Sequence, residues 1–243
     1  MTIELHPLAQ FTVERILPLR VGRLDLSFTN ASLMMGVVIC LITGLIVYGT
    51  RRASLVPGRL QSLAEMSYEF VADMVESNVG HEGMPFFPFV FSLFMFILFA
   101  NLLGLIPYAF TVTGQIVVTF ALAIVVFIGV TIIGFIRHGL HFLRFFVPEG
   151  VPKLLLVILV PIEVLSYCIR PFTLSVRLFA NMLAGHTMLG IFAGFAALVG
   201  IWAIFPIAID VALLALELLV ATLQAYVFAI LSCLYLNDAI HMH

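Results

Sequence analysis

From Gly83 to Ile136 the chain carries no Asp, Glu, Lys, Arg or His. No other feature constrains the fold as tightly. A soluble domain cannot hide so long an uncharged run, because its polar surface has to be supplied from somewhere. The run is also too long for one membrane crossing, since about 20 apolar residues cover the hydrocarbon core. Pro107-Tyr108 to Gly114 breaks it, which predicts two spans, 85–106 and 115–136. Leu26 to Thr50 is likewise uncharged and stops at Arg51 and Arg52, before a Pro57-Gly58 turn. This predicts a span over 26–50. The whole chain of 243 residues is 63% hydrophobic and 10% charged, where soluble domains average about 25% charged. Its mean hydropathy is +1.21. Lipid is the solvent that suits such a surface.

The other segments complete an all-α membrane fold in a single domain over 1–243. Residues 1–25 are mixed, with Glu4, Glu14 and Asp25 and no basic start leading into an apolar core, so no signal peptide is expected. Over 60–79, Glu65, Glu69, Asp73 and Glu76 recur at helical spacing, and Leu63, Met66, Phe70 and Met74 recur on another face. That pattern predicts an amphipathic helix lying on the membrane surface or on other helices. Arg137 ends the second internal span; His138, His141 and Arg144 follow as an interfacial segment, and Pro148 and Pro152 bracket a loop. The chain is then apolar to about residue 236, with a reversal around Gly194–Gly200 and Pro206. Two helices, 154–198 and 202–236, would run to about 67 and 51 Å, against a core of about 30 Å. They must be tilted, bent or partly interfacial. In total about five membrane helices and one amphipathic surface helix are expected, the last two long and strongly tilted.

Loops 51–84 and 137–153 hold six of the eleven basic residues: Arg51, Arg52, Arg59, Arg137, Arg144 and Lys153. The positive-inside rule therefore places these loops in the cytoplasm, the N-terminus outside and the C-terminus inside. Arg15, Arg20 and Arg23 in the N-terminal tail pull the other way. Cys40, Cys168 and Cys233 sit in apolar runs without metal-ligand spacing and read as packed small hydrophobes. No basic patch suggests nucleic acid.

Glu163, Arg170, Arg177, Asp210 and Glu217 are charges inside the last two helices. Each costs about 2.5–3.5 kcal/mol at mid-membrane on insertion scales, so such groups usually face a cavity or a partner. They are ordered. Thr173, Arg177 and Asn181 stand at i, i+4 and i+8, on one stripe. Glu163, fourteen residues before Arg177, shares that face but lies about 21 Å away, too far for a salt bridge. Arg170 is seven residues from Glu163 and is the nearer candidate for a weak interaction. His186 points to the side opposite Arg177. Asp210, Glu217 and Gln224 repeat every seven residues, one polar line on an apolar rod. A water-filled crevice explains that line. Arg177 snorkelling to a headgroup, or pairing structurally with Glu217, is the plainer alternative. His186 and Glu217 alone are too few ligands for a metal. No phosphate loop and no nucleophile elbow occurs, so no cofactor and no covalent catalysis is implied.

The run Arg170-Pro171-Phe172-Thr173-Leu174-Ser175-Val176-Arg177-Leu178-Phe179-Ala180-Asn181-Met182-Leu183-Ala184-Gly185-His186 resembles the signature of the a-subunit family of F-type ATP synthases. Leu223-Gln224-Ala225-Tyr226-Val227-Phe228 resembles that family's last-helix motif, and Asn101 to Pro107 the end of an earlier span. The likeness covers most of the chain. It implies a non-catalytic stator subunit in a bacterial inner membrane, or a mitochondrial one, that exchanges protons with a c-ring and contacts b-type peripheral stalk subunits. It assigns Arg177 to the rotor carboxylates, with Asn181 beside it. His186, Glu217 and Gln224 are assigned to an outer half-channel and Glu163 to an inner exit, with Thr173, Asp210 and Arg170 as secondary positions. The commonest bacterial pattern has Glu where His186 stands and His where Glu217 stands. Their exchange here keeps one imidazole and one carboxylate and looks alphaproteobacterial or mitochondrial. Thr173 replaces a Ser, and Gly104 stands where some members carry Asp. A self-contained ion transporter or channel is the competing reading, although no paired broken helices support it.

Overall fold

The computed structural model describes residues 12–17, 20–21, 24–25, 27–51, 54, 56–106, 109–139, 141–142, 147 and 153–241. Arg23, Arg52, Pro107, Tyr108, Arg144, Pro148 and Pro152, on which tails, turns and boundaries were expected, lie outside them. Four short strands precede the first helix among the described residues: β1 (Arg15–Leu17), β2 (Arg20–Val21), β3 (Leu24–Asp25) and β4 (Phe28–Thr29). β1 pairs antiparallel with β4, and β2 with β3. This hairpin is why the first helix, α1 (Asn30–Thr50), begins at Asn30 and not at Leu26. Phe28 and Thr29 are committed to the ladder. The Thr29 hydroxyl then caps Ser32 N at 3.4 Å, satisfying one orphan donor of the helix start. The Asn30 amide fastens the hairpin to the helix by donating to Thr12 O (3.0 Å) and accepting from Glu14 N (3.2 Å).

Five more helices follow: α2 (Arg59–Val79), α3 (Phe87–Gly104, entered through a 3-10 turn at His81–Phe86), α4 (Ile116–His138), α5 (Lys153–Val199) and α6 (Ile204–Ile240). Gly80 ends α2 and Gly139 ends α4, at φ of 77° and 56°, values that a side chain would oppose. The reversal between α5 and α6 is the 3-10 turn Gly200–Ala203. Pro206 falls in the first turn of α6, where a missing N–H is tolerated. α5 runs unbroken through Pro161 and Pro171. All of these helices except α2 are long and apolar enough to cross a membrane. With 47 and 37 residues, α5 and α6 extend about 70 and 55 Å, so they cannot stand upright in a core of about 30 Å.

One core joins the helices. Val71 and Val75 of α2, Ile97 of α3, Val126 of α4, Leu178 of α5 and Phe228 of α6 all belong to it. At one end the helix termini are tied together. Arg137 at the end of α4 makes an ion pair with Glu82, before α3. His138 Nε2 lies 3.2 Å from Ile240 O at the end of α6.

One expectation needs correction. Cys40 and Cys168 are exposed, and only Cys233 is packed inside. In a membrane protein an apolar run does not mean an interior, because the outside is apolar too. On α2, Leu63, Met66 and Phe70 are exposed. The packed stripe is Val71, Met74, Val75 and Val79, while Glu65, Glu69, Asp73 and Glu76 remain exposed as expected.

Gly134 illustrates how tightly the tied end is packed. A Cβ there would come within 2.5 Å of the fully buried Phe142 ring, whereas one at Gly129, on the same helix, meets nothing within 4 Å. Gly134→Ala is therefore expected to destabilise the chain by about 1–3 kcal/mol. Gly129→Ala should be neutral or stabilise by up to about 1 kcal/mol. Heat-induced loss of the fold in detergent micelles measures both; equal stabilities would show that Phe142 does not cover Gly134.

Candidate ion path

α5 and α6 form an antiparallel pair with two different faces. Toward α3, the pair is polar and closed. Glu217 and Gln224 are 5% and 8% exposed, and Asp210 is partly buried, so the seven-residue line does face inward. His186 arrives from α5 at 5% exposure and makes an ion pair with Glu217 Oε1. Its other contacts are backbone carbonyls: Nε2 lies 2.7 Å from Gly104 O and Nδ1 lies 3.1 Å from Met182 O. A neutral imidazole has one N–H, so one of its nitrogens would confront a carbonyl lone pair. An imidazolium would donate from Nε2 to Gly104 O and has Met182 O and Glu217 Oε1 within reach of Nδ1.

Gly185 makes this pair sterically feasible. A Cβ at that position would lie 2.6 Å from Glu217 Oε1 and 2.8 Å from its carboxyl carbon. On α3, a Cβ at Gly104 would meet Thr111 Cγ2 at 2.9 Å. An aspartate in place of Gly104 would be crowded here. The carbonyl of Gly104, in the last turn of α3, is the one that faces His186 Nε2.

The surroundings are polar beyond what the protein itself satisfies. Asn101, fully buried, donates from Nδ2 to Ala221 O at 3.0 Å, between Glu217 and Gln224. Asn101 Oδ1, Thr111 Oγ1, Thr113 Oγ1, Asp210 Oδ1 and Glu217 Oε2 are all buried with no hydrogen-bond partner among the described residues. Buried polar atoms are satisfied by water when protein does not reach them. A cleft of about 360 Å³ reaches the same place, lined by Gly104, Ile106, His186, Gly190, Asp210 and Leu214. Nearby, Thr119 and Ser175 share a buried hydrogen bond of 3.1 Å.

The opposite face is bare. Arg177 and Thr173 are exposed, Asn181 and Glu163 are partly so, and Ala180 and Ala184 beside the arginine are exposed and small. Among the described residues no hydrogen bond or ion pair engages the Arg177 guanidinium, so it does not pair with Glu217. Only 11% of the most apolar stretch of α5 and of α6 is buried, against 44% for α3. Arg170 does not reach Glu163. It pairs with Asp238 at 2.8 Å instead.

Sequence reasoning therefore placed Arg177 and His186 on opposite faces as they stand. It passed over Gly185, Asn101, Thr111, Thr113 and Asp238 as site residues. Asp238 was detectable as an acid in the last turns of an apolar helix. The threonines carried no signal, because their burial depends on how the turn before α4 folds back.

A family profile described as ATP synthase A chain matches residues 32–237. The chain is 59% identical to ATP synthase subunit a of Parvibaculum lavamentivorans, over 97% of this chain and 93% of that one. It is 57% identical to the subunit of the same name from Allorhizobium ampelinum, over 97% of both. With that of Paramagnetospirillum magneticum it shares 54% identity, over 98% of this chain and 99% of the other. With polar buried helix pair, signature arginine and full-length likeness in agreement, the chain belongs to the ATP synthase A chain family, as a non-catalytic, multi-pass subunit of a bacterial inner membrane.

Proposed function

We propose that the chain carries protons to and from a c-ring through two offset half-channels, with Arg177 facing the ring carboxylates. The observation that carries this reading is the contrast between the two sides of α5. The Arg177 guanidinium, unpaired among the described residues, stands on an exposed face, and a pocket lined with buried polar atoms lies behind it. Exposed Ala180 and Ala184 leave space for another helix to approach the arginine closely. The family works with rotor and stalk subunits. The rotor is assigned to the α5–α6 face, and b-type peripheral stalk subunits to the α1–α2 flank, which has no part in the polar pocket.

The outer half-channel is the cleft at Asp210, leading to His186 and Glu217 and on past Asn101 to Gln224. The imidazole and carboxylate pass a proton by exchanging charge, and a fixed salt bridge becomes a relay when water joins it. The inner exit is assigned to the Glu163 end of α5, on the cytoplasmic side. Asn181 and Thr173 flank Arg177 and offer hydrogen bonds to the passing group.

Arg177 keeps the two half-channels separate. Its side chain stays protonated in any protein environment, so a ring carboxylate beside it is driven to the ionised form. A proton must therefore leave on one side and be taken up on the other. Each crossing of 100 mV releases about 2.3 kcal/mol, and the detour through the ring turns that energy into rotation.

Arg177→Ala is expected to abolish ATP-driven proton pumping in vesicles carrying the assembled complex while leaving assembly intact. Normal pumping by that variant would sink the assignment. Arg177→Lys should also fail, because a lysine can lose its proton in a desolvated site. On the outer side, Glu217→Leu and Gly185→Ala should each slow passive proton conduction by about tenfold, the second by pushing the carboxylate away from His186. Conduction at the unaltered rate in both, across pH, would remove Glu217 from the path. Proton flux from the purified chain alone, without ring subunits, would favour the transporter reading instead.

A further inference from the structure

Arg170 and Arg177 are seven residues apart on one unbroken helix. Seven residues make about 700° of turn and about 10.5 Å of rise, so both arginines project from nearly the same stripe. Neither can shed its charge. A ring carboxylate sweeping this face would then meet two cations where the mechanism needs one, and could be held at the wrong station.

The two are treated differently by the fold. Arg170 Nη1 lies 2.8 Å from Asp238 Oδ2, near the end of α6. Its guanidinium carbon is 5.5 Å from the Tyr167 ring and 4.9 Å from the Tyr235 ring. Tyr167 is itself buried and anchored to α4 by a 2.7 Å hydrogen bond with Thr131. The side chain of Arg170 is thus drawn off the stripe toward α6, its plane held by two aromatic faces and its charge cancelled by a carboxylate. No such partner engages Arg177 among the described residues. We infer that Asp238 masks Arg170, so that, of the two arginines on this stripe, only Arg177 meets the rotor without a partner among the described residues. The inference rests on the rotor-facing reading of Arg177, and makes Asp238 a positioning residue for that reaction.

A clamp that merely fastens α5 to α6 would suffer equally from losing either partner. Masking is asymmetric. Asp238→Asn keeps the shape and uncovers the Arg170 charge; Arg170→Gln removes the charge that needs covering. In vesicles carrying the whole complex, with ring content measured to normalise for assembly, Asp238→Asn should pump protons about fivefold more slowly or worse. Arg170→Gln should stay within about twofold of the parent, and Arg170→Gln/Asp238→Asn should recover to that level. Parental pumping by Asp238→Asn overturns the inference. So does a loss in Arg170→Gln matching that of Asp238→Asn, with no recovery in the double variant. The Arg170→Gln result decides even where Asp238→Asn assembles poorly. Arg177→Ala, measured alongside, separates the two levels: normal pumping there removes the rotor-facing reading itself, and this one with it.

Discussion

The contact between His186 and Glu217 is the junction on which the arrangement of α3, α5 and α6 depends. It joins the last two helices directly, and through Gly104 O it holds the end of α3 as well. A buried ion pair is weak evidence for stability, because desolvating both charges can cancel their attraction. Its value here lies in register. Slipping α6 by one residue along α5 would take the carboxylate off the imidazole and carry it out of the space that Gly185 leaves. The helices would still be apolar rods, free to pack in other ways in lipid, where no hydrophobic force prefers one face. A few polar contacts at glycine-thinned crossings select one packing from many.

Much of this was legible in the sequence because membranes simplify the reading. Uncharged runs of the right length give spans with few alternatives, and charges inside them are conspicuous by cost. Helical spacing then assigned Arg177 and His186 to opposite faces, and Asp210, Glu217 and Gln224 to one line. What was not legible depended on contacts between distant segments. Two- and three-residue strands are too short to display an alternating pattern, so the hairpin before α1 left no trace. Residues Leu63, Met66 and Phe70 match the helical period as well as Val71, Val75 and Val79 do. Which stripe is packed follows from where α3 and α6 lie. Arg170 paired with Asp238, 68 positions away, and not with the Glu163 that spacing offered. Cys40 and Cys168 were misjudged because hydropathy ranks lipid and protein interior alike.

The two faces of α5 divide the electrostatic labour. On the inner face, charges lie with a partner or with other polar groups, as at Glu217 beside His186 and at Asp210 in the cleft that His186 also lines. On the outer face the Arg177 charge has no hydrogen bond or ion pair among the described residues. Such an arrangement is costly in the isolated chain and becomes favourable when an anion-bearing surface covers it. This links folding to assembly: two of the sparsely buried helices of the molecule form the pair whose outer face carries the exposed Arg177.

The lacing of helix ends at Glu82, Arg137, His138 and Ile240 has a mechanical consequence. On the proposed reading, a rotor turning against α5 and α6 would exert a sideways drag on them, and a bundle of loosely stacked rods would shear. With α6 bonded at its terminus to α4, and α4 to the segment before α3, that drag is spread over three helices at one rim. The opposite rim, where the cleft opens, is spared the load and can remain wide enough for water.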